Sequence, residues 1–125
     1  HSVNCPAVCY RIQAGRPTAL YCPDVVYIHD RDRAMDGAAL YVGDGATLEQ
    51  SMVRRRGDRL IGHTPVRTQL TWCAKAGVPE MIVTHCGSQI VGGDERRINA
   101  TLREWAEDRG VAASIAHDGM TRVLR

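Results

Sequence analysis

Phenylalanine is absent from the sequence, and aromatic residues make up only 5% of its 125 positions. Long apolar runs are absent too, since none approaches the ~20 residues that a membrane-spanning helix needs. The first residues show no signal-peptide pattern. With 44% hydrophobic and 24% charged residues, the composition is unlike that of a disordered or fibrous protein. We therefore expect a single globular domain, residues 1–125, with a modest core and no membrane partner.

A large excess of one charge is also missing, because 16 basic residues stand against 14 acidic ones for a net charge of +2. Such a balance does not indicate nucleic-acid binding by charge alone. One local basic cluster exists, formed by arginines at 54–56 together with Arg59. It could clamp a phosphate or a nucleic-acid backbone, although a charge run is more often a solvated face. Nucleic-acid binding is therefore a weak functional hypothesis for this sequence.

The five cysteines form no C-x-x-C pair and are odd in number. This favours a reducing compartment over a disulfide scaffold or a zinc ribbon, so we expect a cytoplasmic protein. Cys5 and Cys9 are expected to be buried thiols. Cys86 lies beside His85, but adjacent residues on a strand point to opposite sides, so a Cys–His nucleophilic couple is not expected.

Alternating apolar and turn-forming segments predict an α/β domain, with helices on one face of a mixed sheet. The first two strands form a hairpin, and the second helix has Thr64 as N-cap and Pro65 as first residue, before Gly77 ends it. Strands are expected at 7–13, 18–22, 38–42, 81–83, 111–116 and 120–124, and helices at 47–56, 65–76 and 94–109. Because the strands are apolar without clean alternation, the second sheet face must also be covered.

Four polar residues lie at strand ends or in loops beside them. Asp24 and Asp44 each follow an apolar strand, His85 follows another, and His63 comes just before a helix. Side chains at the same edge of one sheet can converge. Imidazole and carboxylate are the ligand set of zinc, manganese or iron, and a metal-bound water is a hydrolytic nucleophile.

Six short segments, in this order, carry a family resemblance. They are 7–12, Tyr21-Cys-Pro-Asp24, 40–47, Gly62-His63-Thr64, Thr84-His85-Cys86 and 116–120. Together they span nearly the whole chain. On these motifs the sequence resembles the metallo-β-lactamase fold hydrolases, in the branch of tRNA 3′-processing ribonucleases and related phosphodiesterases.

The resemblance implies a four-layer αββα sandwich and a dinuclear centre of Zn²⁺, or of Mn²⁺ or Fe. It makes His1, Asp24 and His85 metal ligands, with Asp24 bridging two ions. His63, hydrogen-bonded to Asp44, would assist the leaving group. The implied reaction is hydrolysis of a phosphodiester, or a related ester, by a metal-bound hydroxide.

One family motif, His-x-His-x-Asp-His, is absent from these residues. Its absence leaves fewer ligands than the three or four usual for zinc, so we expect the isolated chain to bind metal poorly. The chain therefore resembles the carboxyl-terminal half of such an enzyme, and its first residue is His1 rather than methionine. The amino-terminal half would be missing, cleaved away or supplied by a partner chain.

The alternative function is not catalytic. In this second hypothesis the chain is an α/β interaction module that keeps the fold without the metal site. Its exposed sheet face would pair with a partner or with a second copy, as a homodimer. The motifs do not specify whether the substrate is nucleotide-like or which ester it carries.

Overall fold

The computed structural model describes residues 7–125 and centres on a five-stranded mixed sheet of order β1-β2-β3-β6-β7. Strand β1 is antiparallel to β2, whereas β2, β3, β6 and β7 are parallel, and β4 and β5 form a separate hairpin. The elements in chain order are β1 (Tyr10–Gln13), β2 (Thr18–Tyr21), α1 (Arg31–Met35), β3 (Leu40–Asp44), β4 (Arg54–Arg56), β5 (Arg59–Ile61), α2 (Val66–Ala76), β6 (Glu80–Thr84), α3 (Ser88–Val91), α4 (Glu95–Glu107) and β7 (Ala112–Ile115).

The helices form one layer against one face of the sheet. Helix α2 packs on β3 and β6, and α4 packs on β7 and on α2. Leu70 and Leu102 bring the apolar stripes of these two helices into the same buried core as Tyr41 and Met81 of the sheet. The predicted α/β class, with helices on one face of a mixed sheet, is confirmed.

The opposite face of the sheet carries apolar side chains that are open to solvent at β1 and β2. Strand register places Tyr10 opposite Tyr21, and Ile12 opposite Ala19. Because cross-strand partners point to the same side, these side chains share the face away from the helices. Tyr10 is 58% exposed, Ile12 55% and Tyr21 39%. The sheet therefore has an apolar surface beside its first two strands that the helix layer does not cover.

Two predicted elements are wrong. Residues 47–53 form bends and loop rather than a helix, and residues 54–56 pair as strand β4 with β5. The four-residue spacing of Leu48 and Met52 suggested a helix, but the turn at Gly57, with φ of 64°, makes a hairpin instead. The predicted strand 120–124 forms no ladder. Its Arg122 instead makes a bidentate ion pair with Glu80.

The expectation that the cysteines are free thiols is wrong for Cys9 and Cys22, which form a disulfide. The hairpin register explains it: Tyr10 lies opposite Tyr21, so the residues that flank them also meet. Cys5 lies outside the described residues. Cys73 is a free thiol inside α2, and burial raises its pKa to about 12. Among residues 7–125, no helix has the length and apolarity to cross a bilayer.

Gln69 joins the helix layer to the sheet through a fully buried side-chain amide. Its Oε1 accepts hydrogen bonds from the Tyr41 hydroxyl and the Asp44 amide, each at 2.9 Å. Its Nε2 donates to the carbonyl oxygens of Asp44 and Thr64, each at 2.8 Å. One side chain therefore satisfies backbone groups at the end of β3 and in the loop before α2, as well as the Tyr41 hydroxyl.

We expect Gln69→Leu to lower the free energy of unfolding by about 3 kcal/mol, because several buried polar groups lose their partner at once. The matched control on the same helix is Lys75→Gln, an exposed position that should change stability by no more than about 0.5 kcal/mol. Urea-induced unfolding measures both. Equal stability of the two variants would contradict the role assigned to Gln69.

Candidate metal centre

Four side chains meet at the carboxyl edge of the parallel strands. Asp44 is the last residue of β3, His85 directly follows β6, Asp24 follows β2, and His63 precedes α2. Each offers one potential ligand atom, and these four atoms all lie within 4.8 Å of one another. The topology causes this convergence, because the carboxyl ends of adjacent parallel strands open onto the same crevice.

Asp44 lies at the centre of the cluster and is fully buried. Its Oδ2 accepts a hydrogen bond from the Val25 amide at 3.0 Å and is 2.7 Å from Nδ1 of His63. Its Oδ1 accepts from the Ala46 amide at 2.9 Å and is 3.2 Å from Nδ1 of His85. Each oxygen thus has one backbone donor and one imidazole, which offsets the cost of removing a carboxylate from water.

Close backbone contacts lock the loops that carry Asp44 and His85. The Gly45 amide donates to the Thr84 carbonyl at 2.6 Å, and the Gly87 amide donates to the Gly45 carbonyl at 2.9 Å. A Cβ at Gly45 would lie 2.7 Å from the Thr84 oxygen, and one at Gly87 would collide with the Ala46 carbonyl. His85 itself adopts a left-handed φ of 51°, which non-glycine residues seldom do. These contacts therefore fix the backbone positions from which the side chains of Asp44 and His85 extend.

The segment that follows β2 is also held in place by hydrogen bonds. Besides the bond from Val25 to Asp44, the Thr64 amide donates to the Val25 carbonyl at 2.9 Å, and the Thr64 hydroxyl donates to the Val26 carbonyl. These bonds join the Asp24 turn to the loop that carries His63. Asp24 Oδ1 lies 3.4 Å from Nδ1 of His63. The sequence predicts Thr64 as the N-cap of α2, but its amide and hydroxyl make the bonds to Val25 and Val26 instead. Pro65 is the N-cap residue of α2.

Two further ionisable groups near Asp44 stay protonated. Burial raises the pKa of the Cys86 thiol, and the negative charge of Asp44 acts in the same direction. Burial also raises the pKa of Tyr41 well above its ordinary value, with Cys73 and Asp44 adding to the effect. Cys86 is thus not a ready thiolate nucleophile, and Tyr41 remains a neutral hydrogen-bond donor.

The structure brings together Asp24, Asp44, His63 and His85, and His117 lies outside this cluster. His1 lies outside the described residues. His117 follows β7, one strand further from β3, and its Nδ1 is 3.1 Å from the neighbouring Asp118 carbonyl oxygen. Sequence reasoning missed the Val25 and Ala46 amides, and also Gln69, as supports of the cluster. A lone glutamine on the apolar stripe of α2 was the one available signal.

Comparison with known proteins bears on the fold. No protein-family model matches the sequence, and no curated protein is similar to it. The solved structures that are similar include the following two. One is the metallo-β-lactamase fold protein YhfI from Bacillus subtilis, with a TM-score of 0.65 and 20% identity over 90% of this chain. The other is Zn²⁺-bound PqqB from Methylobacterium extorquens, with a TM-score of 0.66 and 24% identity over 95% of this chain.

The described residues therefore have the metallo-β-lactamase fold, as the sequence motifs predicted. The chain spans 42% of the length of the YhfI structure and 44% of the PqqB structure. At this level of identity the likeness establishes the fold alone. The ribonuclease-like branch and the assignment to a carboxyl-terminal half stay predictions.

The contacts of Asp44 predict the tautomers of the two imidazoles. Because a carboxylate oxygen lies beside Nδ1 in both rings, we expect His63 and His85 to carry their proton on Nδ1 when neutral. Long-range ¹H–¹⁵N NMR spectra in alkaline, chelator-treated buffer measure this. His29 outside the cluster is the internal control. An Nε2-protonated ring at His63 would contradict the hydrogen bond to Asp44.

Proposed function

We propose that this chain carries part of the active site of a metal-dependent hydrolase that cleaves a phosphodiester or a related ester. The observation that supports it is the convergence of two carboxylates and two imidazoles within 4.8 Å. This donor set suits zinc, manganese or iron. A fold shared with Zn²⁺-bound PqqB adds support for a metal. We propose Zn²⁺, with Mn²⁺ or Fe as the other candidates, in a dinuclear site.

The residues divide into ligands and a supporting acid. We propose that Asp24 and the Nε2 atom of His85 bind the metal, with Asp24 shared between two ions. Asp44 is less suited to direct ligation, because both of its oxygens already accept backbone hydrogen bonds. Its two remaining contacts are to Nδ1 of each ring, and a carboxylate in this position fixes ring orientation and raises ligand basicity. A bound ion would polarise the ester and supply a water of near-neutral pKa.

His63 is proposed as the proton donor to the leaving group. Its ring is mostly buried, with 15% of the side chain exposed, and Asp44 and Asp24 both lie beside its Nδ1. Because carboxylate oxygens contact Nδ1, Nε2 is the ring nitrogen left to donate a proton to the leaving group. Asp44 thereby orients both histidines for different tasks.

The ligands on residues 7–125 are fewer than a dinuclear site requires. We propose that further ligands come from His1 and from an additional chain segment or partner chain. The apolar sheet surface at Tyr10, Ile12 and Tyr21 is where such a segment could pack, since covering it would bury exposed hydrophobic area.

Metal binding tests the proposal most directly. In the enzyme reassembled from this chain and the segment or partner chain that completes the site, we expect His85→Ala and Asp24→Ala to weaken Zn²⁺ binding by about tenfold or more. Competition with a chromophoric chelator measures this. His117→Ala is the matched control, because this histidine also follows a parallel strand but lies outside the cluster. Its Zn²⁺ affinity should stay within about twofold.

Activity is measured in parallel, with bis(p-nitrophenyl) phosphate as substrate and Zn²⁺ or Mn²⁺ added. His63→Ala should lower kcat while leaving the metal affinity close to that of the parent, because its proposed role is proton donation. If the variants at Asp24 and His85 left metal affinity and hydrolysis unchanged, the hydrolase proposal would be wrong.

The exposed sheet surface supports a second candidate function, an interaction module that self-associates. In that case Ile12→Asp should weaken self-association by about tenfold, since it places a charge in an apolar contact. Val91→Asp is the control, because Val91 is also exposed but lies on α3. Sedimentation velocity over a concentration series measures both. A metal-free monomer at all concentrations would exclude this candidate.

A further inference from the structure

A cavity of about 770 Å³ lies between the β4–β5 hairpin and the segment that follows β2. We call it the arginine cavity, after Arg11, Arg55 and Arg59 in its wall. Its size falls in the range of small-molecule sites. Asp24 belongs both to this wall and to the candidate metal centre, so the cavity adjoins the cluster.

The charged groups of the wall favour an anion. The wall contains three arginines, two aspartates (Asp24 and Asp58) and His29. Arg11 donates to the Ala34 carbonyl at 2.8 Å, which anchors that side chain. Within residues 7–125, neither Arg55 nor Arg59 takes part in an ion pair. Their planar guanidinium groups match the oxygens of a phosphate or carboxylate.

The rest of the wall is largely apolar. Tyr27 is 61% exposed, and Ile28 and Leu60 line the same space. An exposed tyrosine ring beside aliphatic side chains offers a flat contact for an aromatic or other apolar group. Cationic and apolar patches thus occur together in one concave surface.

From this wall we infer that the arginine cavity binds a phosphate group attached to an aromatic or heterocyclic ring. Arg55 holds the phosphate, and Tyr27 contacts the ring. Since Asp24 lies in the same wall, the bound group is the non-reacting part of the substrate. The assignment of the bound group to the substrate rests on the proposed function, whereas binding in the cavity does not depend on a metal.

The strand pairing supplies a matched control for the experiment. Arg55 and Leu60 are paired across the hairpin and both line the cavity, whereas Arg54 and Arg56 do not line it. Neighbouring residues on a strand point to opposite sides, so Arg54→Ala removes the same charge from the other side of β4. All these arginines are exposed, so the substitutions should not disturb the fold.

The test is calorimetric titration of the chain with phenyl phosphate and with inorganic phosphate, in a metal-chelating buffer. Phenyl phosphate should bind about fivefold more tightly than phosphate, because the ring buries apolar surface. Arg55→Ala should weaken phenyl phosphate binding about tenfold, and Arg55→Lys, which keeps the charge, by less. Arg54→Ala should stay within about twofold.

Equal losses in Arg54→Ala and Arg55→Ala would overturn the inference, because they would show a general charge effect. So would equal affinity for the two ligands, or no binding of either. Because the titration contains no metal, its failure is separate from failure of the hydrolase proposal, which the Zn²⁺ competition and the phosphodiester assay decide.

Discussion

The carboxylate of Asp44 is the interaction on which the site depends. A fully buried charge must receive hydrogen bonds from the protein, because water cannot provide them. The Val25 and Ala46 amides and the rings of His63 and His85 supply those contacts. The loops after β2, β3 and β6 and the loop before α2 therefore have to meet at one point. The same requirement that stabilises the fold gathers the groups that the proposed chemistry uses.

The support of this carboxylate extends into the helix layer. Gln69 binds the backbone of Asp44 from α2 on both its amide and carbonyl sides. Buried amide networks of this kind specify one arrangement, because any shift leaves several polar groups unpaired. His85 has a left-handed backbone conformation, which sets the direction in which its side chain leaves the loop. The site is thus built on rigid strands, with local strain at a residue of proposed function.

Much of the fold and cluster could be predicted because they follow from general rules. The apolar segment before Asp44 marks a strand, and the apolar stripe of residues 94–109 marks a helix, both by local pattern. The strand-end rule brings Asp44 and His85 to one edge. The Cys9–Cys22 bond could not be predicted, because it depends on hairpin register. The φ of His85 and the role of Gln69 likewise arise from tertiary contacts, which local sequence does not encode.

The order in which the site can form is a consequence of its distant contacts. His85 and Asp44 are 41 positions apart, and His63 and Asp44 are 19 apart. Contacts between residues so far apart in sequence form late, since loop closure must precede them, and parallel sheets are slow for this reason. A partly folded chain would have helices and the β1–β2 hairpin, but no assembled donor set. If the cluster binds metal as proposed, only chains with a complete sheet would bind it, so metal binding would report that folding is complete.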